Sequence, residues 1–283
     1  MVQDYEKAVI NIQNFSKDYF EKNSLKSIVI GISGGIDSAL CAALLEPVCQ
    51  DLNMAVIGRS YPITTNKPDE LERARLCGAA FCTNFKEIDL GPCFENMEDH
   101  IKNTEDPITD DVHALAIARG NVKARLRMIR LYELAGLTKG LVISTDNKTE
   151  ESLGFWTING DVGDFSPIQE LWKTEVYRMS EYLITEWNKD PTIPNNIERI
   201  KALKSCVEAI PTDGLGITNS DLDQILPNWE RHYNNTREAY EMVDQILILP
   251  EYAPKDHPVI KRHIATEFKR LIPIIIHRGV IRQ

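Results

Sequence analysis

The sequence lacks cysteine pairs, long apolar runs and an excess of positive charge. None of its six cysteines forms a C-x-x-C pair or has histidines nearby at ligand spacing, which argues against a zinc site and predicts reduced, mostly buried thiols. No apolar run is long enough to span a bilayer, so no membrane partner is expected. The N-terminal MVQDYEKAVINIQNF has no basic segment followed by an apolar one, which indicates a cytoplasmic protein without a signal peptide.

Acidic residues outnumber basic ones, 42 against 32, and the formal net charge is −10. Such a surplus of negative charge argues against nucleic acid as the main partner. The composition, 43% hydrophobic and 26% charged over 283 residues, is that of a globular protein with a sizeable core. Because there is no internal repeat, low-complexity tract or linker, we expect a single domain over residues 1–283.

Short apolar runs alternate with helical segments in the first half of the chain. The predicted strands cover residues 26–32, 53–61, 85–90 and 140–145. The predicted helices cover residues 3–22, 37–48, 68–81 and 113–136. This alternation is typical of a doubly wound parallel sheet of the α/β class, covered by helices on both faces. The chain beyond residue 170 is expected to be mainly helical, which adds helices at both ends of the fold.

A glycine-rich turn, SGGIDS at residues 33–38, directly follows the first predicted strand. Parallel sheets bind ligands beyond the carboxyl ends of their strands, and adjacent glycines let the backbone approach such a ligand closely. The free amides of the next helix and the hydroxyls of Ser33 and Ser38 favour a phosphate. Asp37 repels phosphate unless a cation lies between them, so it implies Mg²⁺. The alternative is a helix N-terminus at which Asp37 serves only the helix dipole.

The helix that contains GNVKARLRMI, residues 120–129, offers a second candidate. On a helical projection Val122, Leu126 and Ile129 form the expected buried stripe. The expected exposed basic face consists of Lys123, Arg127 and Arg130. Arg125 flanks the apolar stripe, where a guanidinium needs an anionic partner, either a ligand or an internal carboxylate.

The SGGIDS turn resembles the pyrophosphate loop, Ser-Gly-Gly-x-Asp-Ser, of the N-type ATP pyrophosphatases. Enzymes of that superfamily adenylylate an acceptor oxygen with ATP and release pyrophosphate. Two further stretches, GNVKARLRMI and STDNKTEESLGFWTINGDVGDFSP (144–167), resemble signature segments of the NAD synthetase family, and ATEFKRLIP (265–273) resembles its closing segment. The resemblance implies a Rossmann-like sheet of the adenine nucleotide α-hydrolase type.

The resemblance also implies an ATP site. The loop is expected to bind ATP through Gly31, Ile32, Ser33, Gly34, Gly35, Ile36, Asp37 and Ser38. Further ATP contacts are expected at Arg59, Thr145, Lys173 and Thr212. The family pattern makes Asp37 and Glu150 the ligands of Mg²⁺, and with Lys173 they are the expected catalytic residues. For each of these side chains the plain alternative is a surface acid or lysine with no ligand.

Contacts with the acceptor, deamido-NAD, are implied at Arg125, Asp164, Phe268 and Lys269. Two positions depart from the family pattern, because an expected lysine falls on Ile158 and an expected histidine falls on Phe268. Residues 228–258 form an insertion beyond the compact family pattern, and no role is assigned to them. The loop at residues 209–217, which contains proline and glycine, is expected to be a mobile lid over ATP.

The reaction implied by the resemblance is the amidation of deamido-NAD to NAD through an adenylylated intermediate, with release of AMP and pyrophosphate. No amidase domain fits ahead of the first predicted strand, so the nitrogen is expected as free ammonia or from a separate ammonia-supplying protein. Members of the family are typically homodimers. Two alternatives remain at this point, namely another amidating ATP pyrophosphatase similar to GMP synthetase, and a non-catalytic adenine-nucleotide sensor.

Overall fold

The computed structural model describes residues 1–64, 66–104, 109–212, 220–271 and 276. Within them one sheet is formed by the strands β1 (Ser27–Gly31), β2 (Ala55–Ser60), β3 (Asn84–Glu87) and β4 (Gly140–Ile143). The strands are parallel and lie in the order β3-β2-β1-β4.

Helices make up most of the remaining described chain. In order they are α1 (Tyr5–Lys22), α2 (Ile36–Asp51), α3 (Pro68–Phe81), α4 (Gly91–Lys102), α5 (Val112–Thr138), α6 (Lys148–Leu153), α7 (Lys173–Lys189), α8 (Asn196–Val207), α9 (Asp221–Ile225), α10 (Thr236–Ile248), α11 (Pro258–Ala265) and α12 (Glu267–Arg270). The helices α7 to α12 confirm that the second half of the chain is mainly helical.

Both faces of the sheet are covered, as the continuous apolar strands predict. Ile28 and Ile30 point from β1 into the main core, which includes the buried side chains of α2. Val29, which alternates with them, packs on the other face against Ala135 of α5 and its neighbours. The fold is therefore the expected doubly wound α/β sheet.

The order of the strands reverses at β1, because β2 lies on one side of it and β4 on the other. Ile30 of β1 pairs with Ile143 of β4, so the loops after these two strands open side by side at the carboxyl edge of the sheet. A crevice at such a reversal is where doubly wound folds bind ligands. The loop after β1 is SGGIDS, and the loop after β4 leads to Glu150.

One helix was missed, and one strand was placed a little too late. The strand expected at 85–90 lies at Asn84–Glu87, and Gly91–Lys102 forms a helix. The pair Gly91–Pro92 looks like a chain breaker in the sequence. Proline is compatible with the first turn of a helix, because the amides of that turn need no partner within the helix.

The expected faces of α5 were wrong in part. Lys123 is only 6% exposed and its ammonium lies over the Phe94 ring, whereas Ile129 is 55% exposed. Arg127 is half-buried and donates to the backbone oxygen of Tyr61. The reason is that α5 contacts two neighbours besides the sheet, α4 and the loop after β2, and both lie on its basic side. Lysine and arginine can cover apolar rings with their long aliphatic stems.

The insertion at 228–258 folds into a short 3₁₀ turn, α10 and a second 3₁₀ turn, and it extends to the start of α11. Tyr240, Val243 and Asp244 of α10 are buried against the rest of the molecule. This segment is therefore part of the core.

No helix in the described part of the chain is both long and apolar enough to cross a membrane. Residues 213–217 of the expected lid lie outside the described residues, as do residues 272 and 273 of the closing segment.

Candidate active site

The SGGIDS loop joins β1 to α2, and its backbone requires glycine at Gly34. Gly34 has φ +83°, and a Cβ atom there would lie 2.2 Å from the backbone oxygen of Glu70. The carbonyl of Gly34 accepts a hydrogen bond from Arg73 Nε at 3.0 Å. The loop therefore lies tightly against α3, in a conformation that other residues rarely adopt.

The two serines of the loop hold each other at the start of α2. Their hydroxyl oxygens are 3.1 Å apart, the amide of Gly35 donates to Ser33, and Ser38 donates to the carbonyl of Gly35. No side chain caps α2, whose first turn also contains Asp37. Uncapped amides at a helix start attract an anion, so the start of α2 suits a phosphate group.

The centre of the site consists of one ammonium between two carboxylates. Lys173 Nζ lies 2.5 Å from Asp37 Oδ2 and 3.0 Å from Glu150 Oε1. Lys173 is 1% exposed, and the carboxylate side chains are 15% and 20% exposed. The three residues come from the starts of α2, α6 and α7, which meet at the reversal of the strand order.

Local capping holds the two carboxylates in place. Asn147 caps α6 by accepting from the Glu150 amide at 3.0 Å, and its own amide group donates to Asp37 Oδ1 at 2.8 Å. Glu150 accepts in turn from the backbone of Asn147. Asn147 is therefore the residue that joins the loops after β1 and β4.

The insertion holds the lysine through its backbone. Asp244 of α10 accepts from the hydroxyl of Thr149 and from both the amide and the hydroxyl of Thr174. The Thr149 hydroxyl oxygen accepts from the Lys173 amide at 2.8 Å. The Tyr240 ring lies 5.8 Å from the Lys173 ammonium. Residues 228–258 thus support Lys173 through the backbone of α7.

The close packing of charges shifts the pKa values of this centre. Burial raises the pKa of Glu150 to about 7, and the charge of Asp37 adds to the rise while Lys173 opposes it. Burial also favours the neutral form of Lys173, but the two carboxylates outweigh it and raise the lysine pKa. Asp146 has a raised pKa because of burial and the charge of Asp161. Carboxyl groups crowded in one buried space therefore hold their protons more readily than exposed ones do.

A cavity of about 640 Å³ opens above this centre. The residues expected to bind ATP that line it are Gly31, Ile32, Ser33, Gly34, Gly35, Ile36, Asp37, Ser38, Arg59, Thr145, Lys173 and Thr212. Arg59 is anchored by donating to the carbonyls of Gly58 and Asn84, and Thr212 donates to Glu70 at 2.6 Å. The tertiary structure therefore gathers all of the expected ATP-site residues around one space.

Of the residues expected to bind the acceptor, Lys269 lines the cavity and the other three do not. Arg125 is exposed on α5 and donates to the carbonyl of Ile158. Asp164 accepts from the Tyr132 hydroxyl and the Val142 amide, so it fastens the segment after α6 to β4. Phe268 is 52% exposed.

The model of the NAD synthase family matches residues 8–273 of the chain. The chain belongs to the NAD synthase family. It is 34% identical to the NH(3)-dependent NAD(+) synthetase of Helicobacter pylori strain HPAG1 over 249 residues, covering 87% of each protein. It is 29% identical to the enzyme of the same name from Finegoldia magna over 254 residues, covering 89% of this chain and 95% of that protein.

Solved structures agree with this family. The NH3-dependent NAD synthetase of Campylobacter jejuni matches with a TM-score of 0.64 and 27% identity, over 97% of this chain and all of that one. An NMN synthetase from Francisella tularensis matches with a TM-score of 0.74, 98% coverage of this chain and 20% identity. At that identity the second match shows the shared fold alone.

The centre of this cavity has oxygen donors suited to Mg²⁺. Asp37 and Glu150 converge on one point, and the described residues contain no group of three or more acids, histidines or cysteines that would enclose a metal by themselves. Mg²⁺ in nucleotide sites uses one or two carboxylates and takes its other ligands from phosphate and water oxygens. The donor set therefore fits Mg²⁺ that arrives with a nucleotide.

Several residues that line the cavity were not among the expected site residues. The cavity is also lined by Asn66, Glu70, Arg73, Asn121, Arg127, Asp146, Phe155, Trp156, Asp161, Asp221, Gln224 and Arg262. Asp146 and Asp161 lie within the signature segment 144–167, so the segment could have identified them. Arg262 lies over the Phe155 ring with its guanidinium carbon 3.8 Å from the ring centre, a contact between distant segments that no local signal predicts.

Proposed function

We propose that this chain catalyses the amidation of deamido-NAD by ammonia, with ATP as the second substrate and Mg²⁺ as the cofactor, to give NAD, AMP and pyrophosphate. The single observation that carries the proposal is the Asp37–Lys173–Glu150 centre at the uncapped start of α2. It combines an anion-binding helix end with carboxylates for a hard cation, which is the pairing that a metal-bound nucleotide needs. The family and its NH3-dependent relatives support the choice of acceptor and nitrogen donor.

In this reaction the chain contributes positioning and charge. The amides at the start of α2 and the hydroxyls of Ser33 and Ser38 hold the pyrophosphate end of ATP. Asp37 and Glu150 would hold Mg²⁺, which would supply positive charge to the phosphates. Lys173 supplies a fixed positive charge next to the same phosphates. Such preorganised charges are among the largest contributions to catalysis, and they need no covalent nucleophile from the protein.

The first chemical step joins the nicotinate carboxylate of the acceptor to the α-phosphorus of ATP, and pyrophosphate leaves. Ammonia then attacks the activated carbonyl, and AMP leaves with the former carboxylate oxygen. Lys269 and Arg127 place positive charge on the walls of the cavity and can hold the anionic acceptor. Arg125, Asp164 and Phe268 remain proposed acceptor contacts, and they act from the rim of the cavity.

The assembly is proposed to be a homodimer of single domains, residues 1–283, in the cytoplasm. Helix α5 supports a dimer because it exposes the large apolar side chains of Val112, Ile117, Ile129, Tyr132 and Leu137. Of these residues, Ile117, Ile129 and Tyr132 lie on the same side of the helix as Arg125, and exposed apolar side chains that are grouped mark an interaction surface, whereas scattered ones do not. Arg125 lies on the same helix, so a partner there would enclose the acceptor contacts. Ammonia is free or comes from a separate protein.

The test is NAD formation from deamido-NAD, ATP, Mg²⁺ and ammonium chloride, with glutamine replacing ammonium in parallel tubes. NAD, AMP and pyrophosphate with ammonium alone are expected. Pyrophosphate without NAD would contradict the choice of acceptor and leave another amidating pyrophosphatase. No product in any tube would contradict the enzyme and favour a nucleotide sensor. Nicotinic acid mononucleotide, which lacks the AMP half of deamido-NAD, is offered as an alternative acceptor. The ratio of the two kcat/KM values measures how much that half contributes.

A further inference from the structure

Two cysteines are in contact behind the SGGIDS loop. Cys77 of α3 and Cys206 of α8 lie 129 positions apart in the chain, yet their sulfur atoms are 3.5 Å apart. They are 0% and 1% exposed. Helices α3 and α8 pack directly on each other, so this contact belongs to a well-packed interface.

Cys206 also contacts the loop itself. Its Sγ lies 3.4 Å from the backbone oxygen of Gly34, the residue with positive φ, and its thiol can donate to that oxygen. Arg73 Nε donates to the same oxygen. Cys206 is therefore one of two side chains that hold the carbonyl of Gly34 at the back of the loop.

The two thiols differ in access and in acidity. Cys206 lines the cavity, whereas Cys77 lies behind it. The hydrogen bond between the two thiols lowers the Cys206 pKa, with burial opposing the change and Ser205 and Arg73 adding to it. The same hydrogen bond raises the pKa of Cys77. Redox-sensitive cysteines combine a lowered pKa, a path for the oxidant and a second thiol nearby. Cys206 meets these conditions through the cavity that it lines and its contact with Cys77.

We propose that Cys206 and Cys77 form a peroxide-sensitive thiol pair whose oxidation to a disulfide weakens nucleotide binding by the SGGIDS loop. Hydrogen peroxide transfers one oxygen to the Cys206 thiolate, which becomes a sulfenic acid, and hydroxide leaves. The Cys77 thiol then attacks the Cys206 sulfur, and the S–S bond forms as the S–O bond breaks. The oxygen leaves with the proton of Cys77 as water, so the peroxide is reduced and both sulfurs are oxidised.

The disulfide changes the loop in two ways. The sulfurs must approach from 3.5 Å to roughly 2 Å, which draws α3 and α8 together. Cys206 loses the S–H group that donates to the Gly34 carbonyl. Of the hydrogen bonds from Cys206 and Arg73 to that oxygen, only the one from Arg73 then remains. Gly34 lies directly against the backbone of Glu70 on α3. A shift of α3 therefore displaces the loop as well.

The experiment treats the reduced protein with increasing hydrogen peroxide and then maps disulfides by peptide mass. We expect a cross-link between the peptides of Cys77 and Cys206, reversed by dithiothreitol. In Cys77→Ser the same dose should leave Cys206 as a sulfenic acid that dimedone traps. Cys93→Ser, which removes an exposed thiol on α4, is the matched control and should still form the cross-link.

ATP affinity is measured on the same samples, without acceptor or ammonia. Oxidation should weaken ATP binding about tenfold or more in wild type and in Cys93→Ser, but not in Cys77→Ser. ATP added first should slow the cross-link, since it covers the cavity side of Cys206. Oxidation of Cys93 with no Cys77–Cys206 cross-link would overturn the proposal. A complete cross-link with unchanged ATP affinity would overturn the coupling to the loop.

The coupling to ATP rests on the proposed function, but the formation of the cross-link does not. A reduced protein that fails to bind ATP would contradict the proposed function and leave the cross-link result standing. A protein that makes NAD yet forms no cross-link would contradict only the thiol pair. The two failures are therefore distinguishable.

Discussion

Two regions differ in how the chain brings them to the cavity, namely the SGGIDS loop with the two residues before it and the expected acceptor contacts. The loop is one run from Gly31 to Ser38, and every residue of it lines the cavity. The four expected acceptor contacts come from three separate segments, and one of the four lines the cavity. A contiguous motif carries its geometry with it, because adjacent residues cannot separate. A site assembled from distant segments depends on how those segments pack.

The centre formed by Asp37, Lys173 and Glu150 combines the two cases, because local motifs place each residue and long-range packing brings the three together. Asp37, Glu150 and Lys173 are far apart in sequence, yet each stands at the start of a helix. The reversal of strand order brings the starts of α2 and α6 together, and Asp244 of the insertion holds α7 against them. This centre is where the comparison can be tested most sharply.

The largest expected effect follows from Lys173→Met. The change leaves Asp37 and Glu150 buried without their cation, which should lower the free energy of unfolding by about 3–5 kcal/mol. Mg²⁺ should restore much of this loss, because it binds the freed carboxylates, whereas the wild type should gain little from Mg²⁺ without ATP. Thermal unfolding with and without Mg²⁺ measures both effects.

The control is Lys148→Met, which removes a lysine that pairs with Glu151 and Glu170 near the surface. It should change stability little and show no response to Mg²⁺. If Mg²⁺ stabilised Lys173→Met no more than this control, Asp37 and Glu150 would not be a metal pair.

Glu150→Gln should reduce kcat/KM by about 10²–10³-fold, since it removes one of two carboxylates from the proposed Mg²⁺ site. Glu151→Gln is the matched control, because the adjacent carboxylate pairs with Lys148. Pyrophosphate release under saturating ATP is the measurement. A large loss in Glu151→Gln with little loss in Glu150→Gln would show that the metal ligand is Glu151 and that the alignment with the family is displaced by one residue.

Gly34→Ala tests whether the SGGIDS loop requires a residue without a Cβ atom at this position. The positive φ alone costs a side chain about 1–3 kcal/mol, and the contact with Glu70 adds to this. We expect lower stability and weaker ATP binding. Gly136→Ala is the control on α5, where nothing lies within 4 Å of the added Cβ and a gain of about 0.5–1 kcal/mol is expected. Denaturant midpoints and ATP titrations distinguish the two variants.

Arg125→Ala is the smallest change, and it tests the acceptor side. Because Arg125 is an exposed side chain with a proposed role at the acceptor alone, we expect the KM for deamido-NAD to rise about tenfold while the KM for ATP and the unfolding midpoint stay unchanged. Arg119→Ala, on the same helix, removes a surface ion pair with Glu98 and should alter neither KM. An unchanged acceptor KM in Arg125→Ala would remove Arg125 from the proposed site.

The elements near the loop could be predicted because their signals are local. Strand β1, the SGGIDS turn and α2 are adjacent in sequence, and their apolar runs and glycines leave few alternatives. The faces of α5 could not be predicted in the same way. Periodicity places Ile129 in the buried stripe and Lys123 outside, but the neighbours of α5 decide which sides are covered. Helix α4 was missed because Gly91–Pro92 breaks a helix in most positions and begins one here.

The sequence by itself determined the alternation of strands and helices and the glycine-rich SGGIDS turn with Asp37, since these rest on neighbouring residues and short-range spacing. Glu150 and Lys173 were expected only from the resemblance to a family. Only the tertiary structure decided that Asn147 joins the two loops, that Asp244 of the insertion supports Lys173 and that Cys206 meets both Cys77 and Gly34. These contacts span from 70 to 172 positions of the chain. Local propensity carries no information at such separations, because packing of the whole core sets which distant side chains meet.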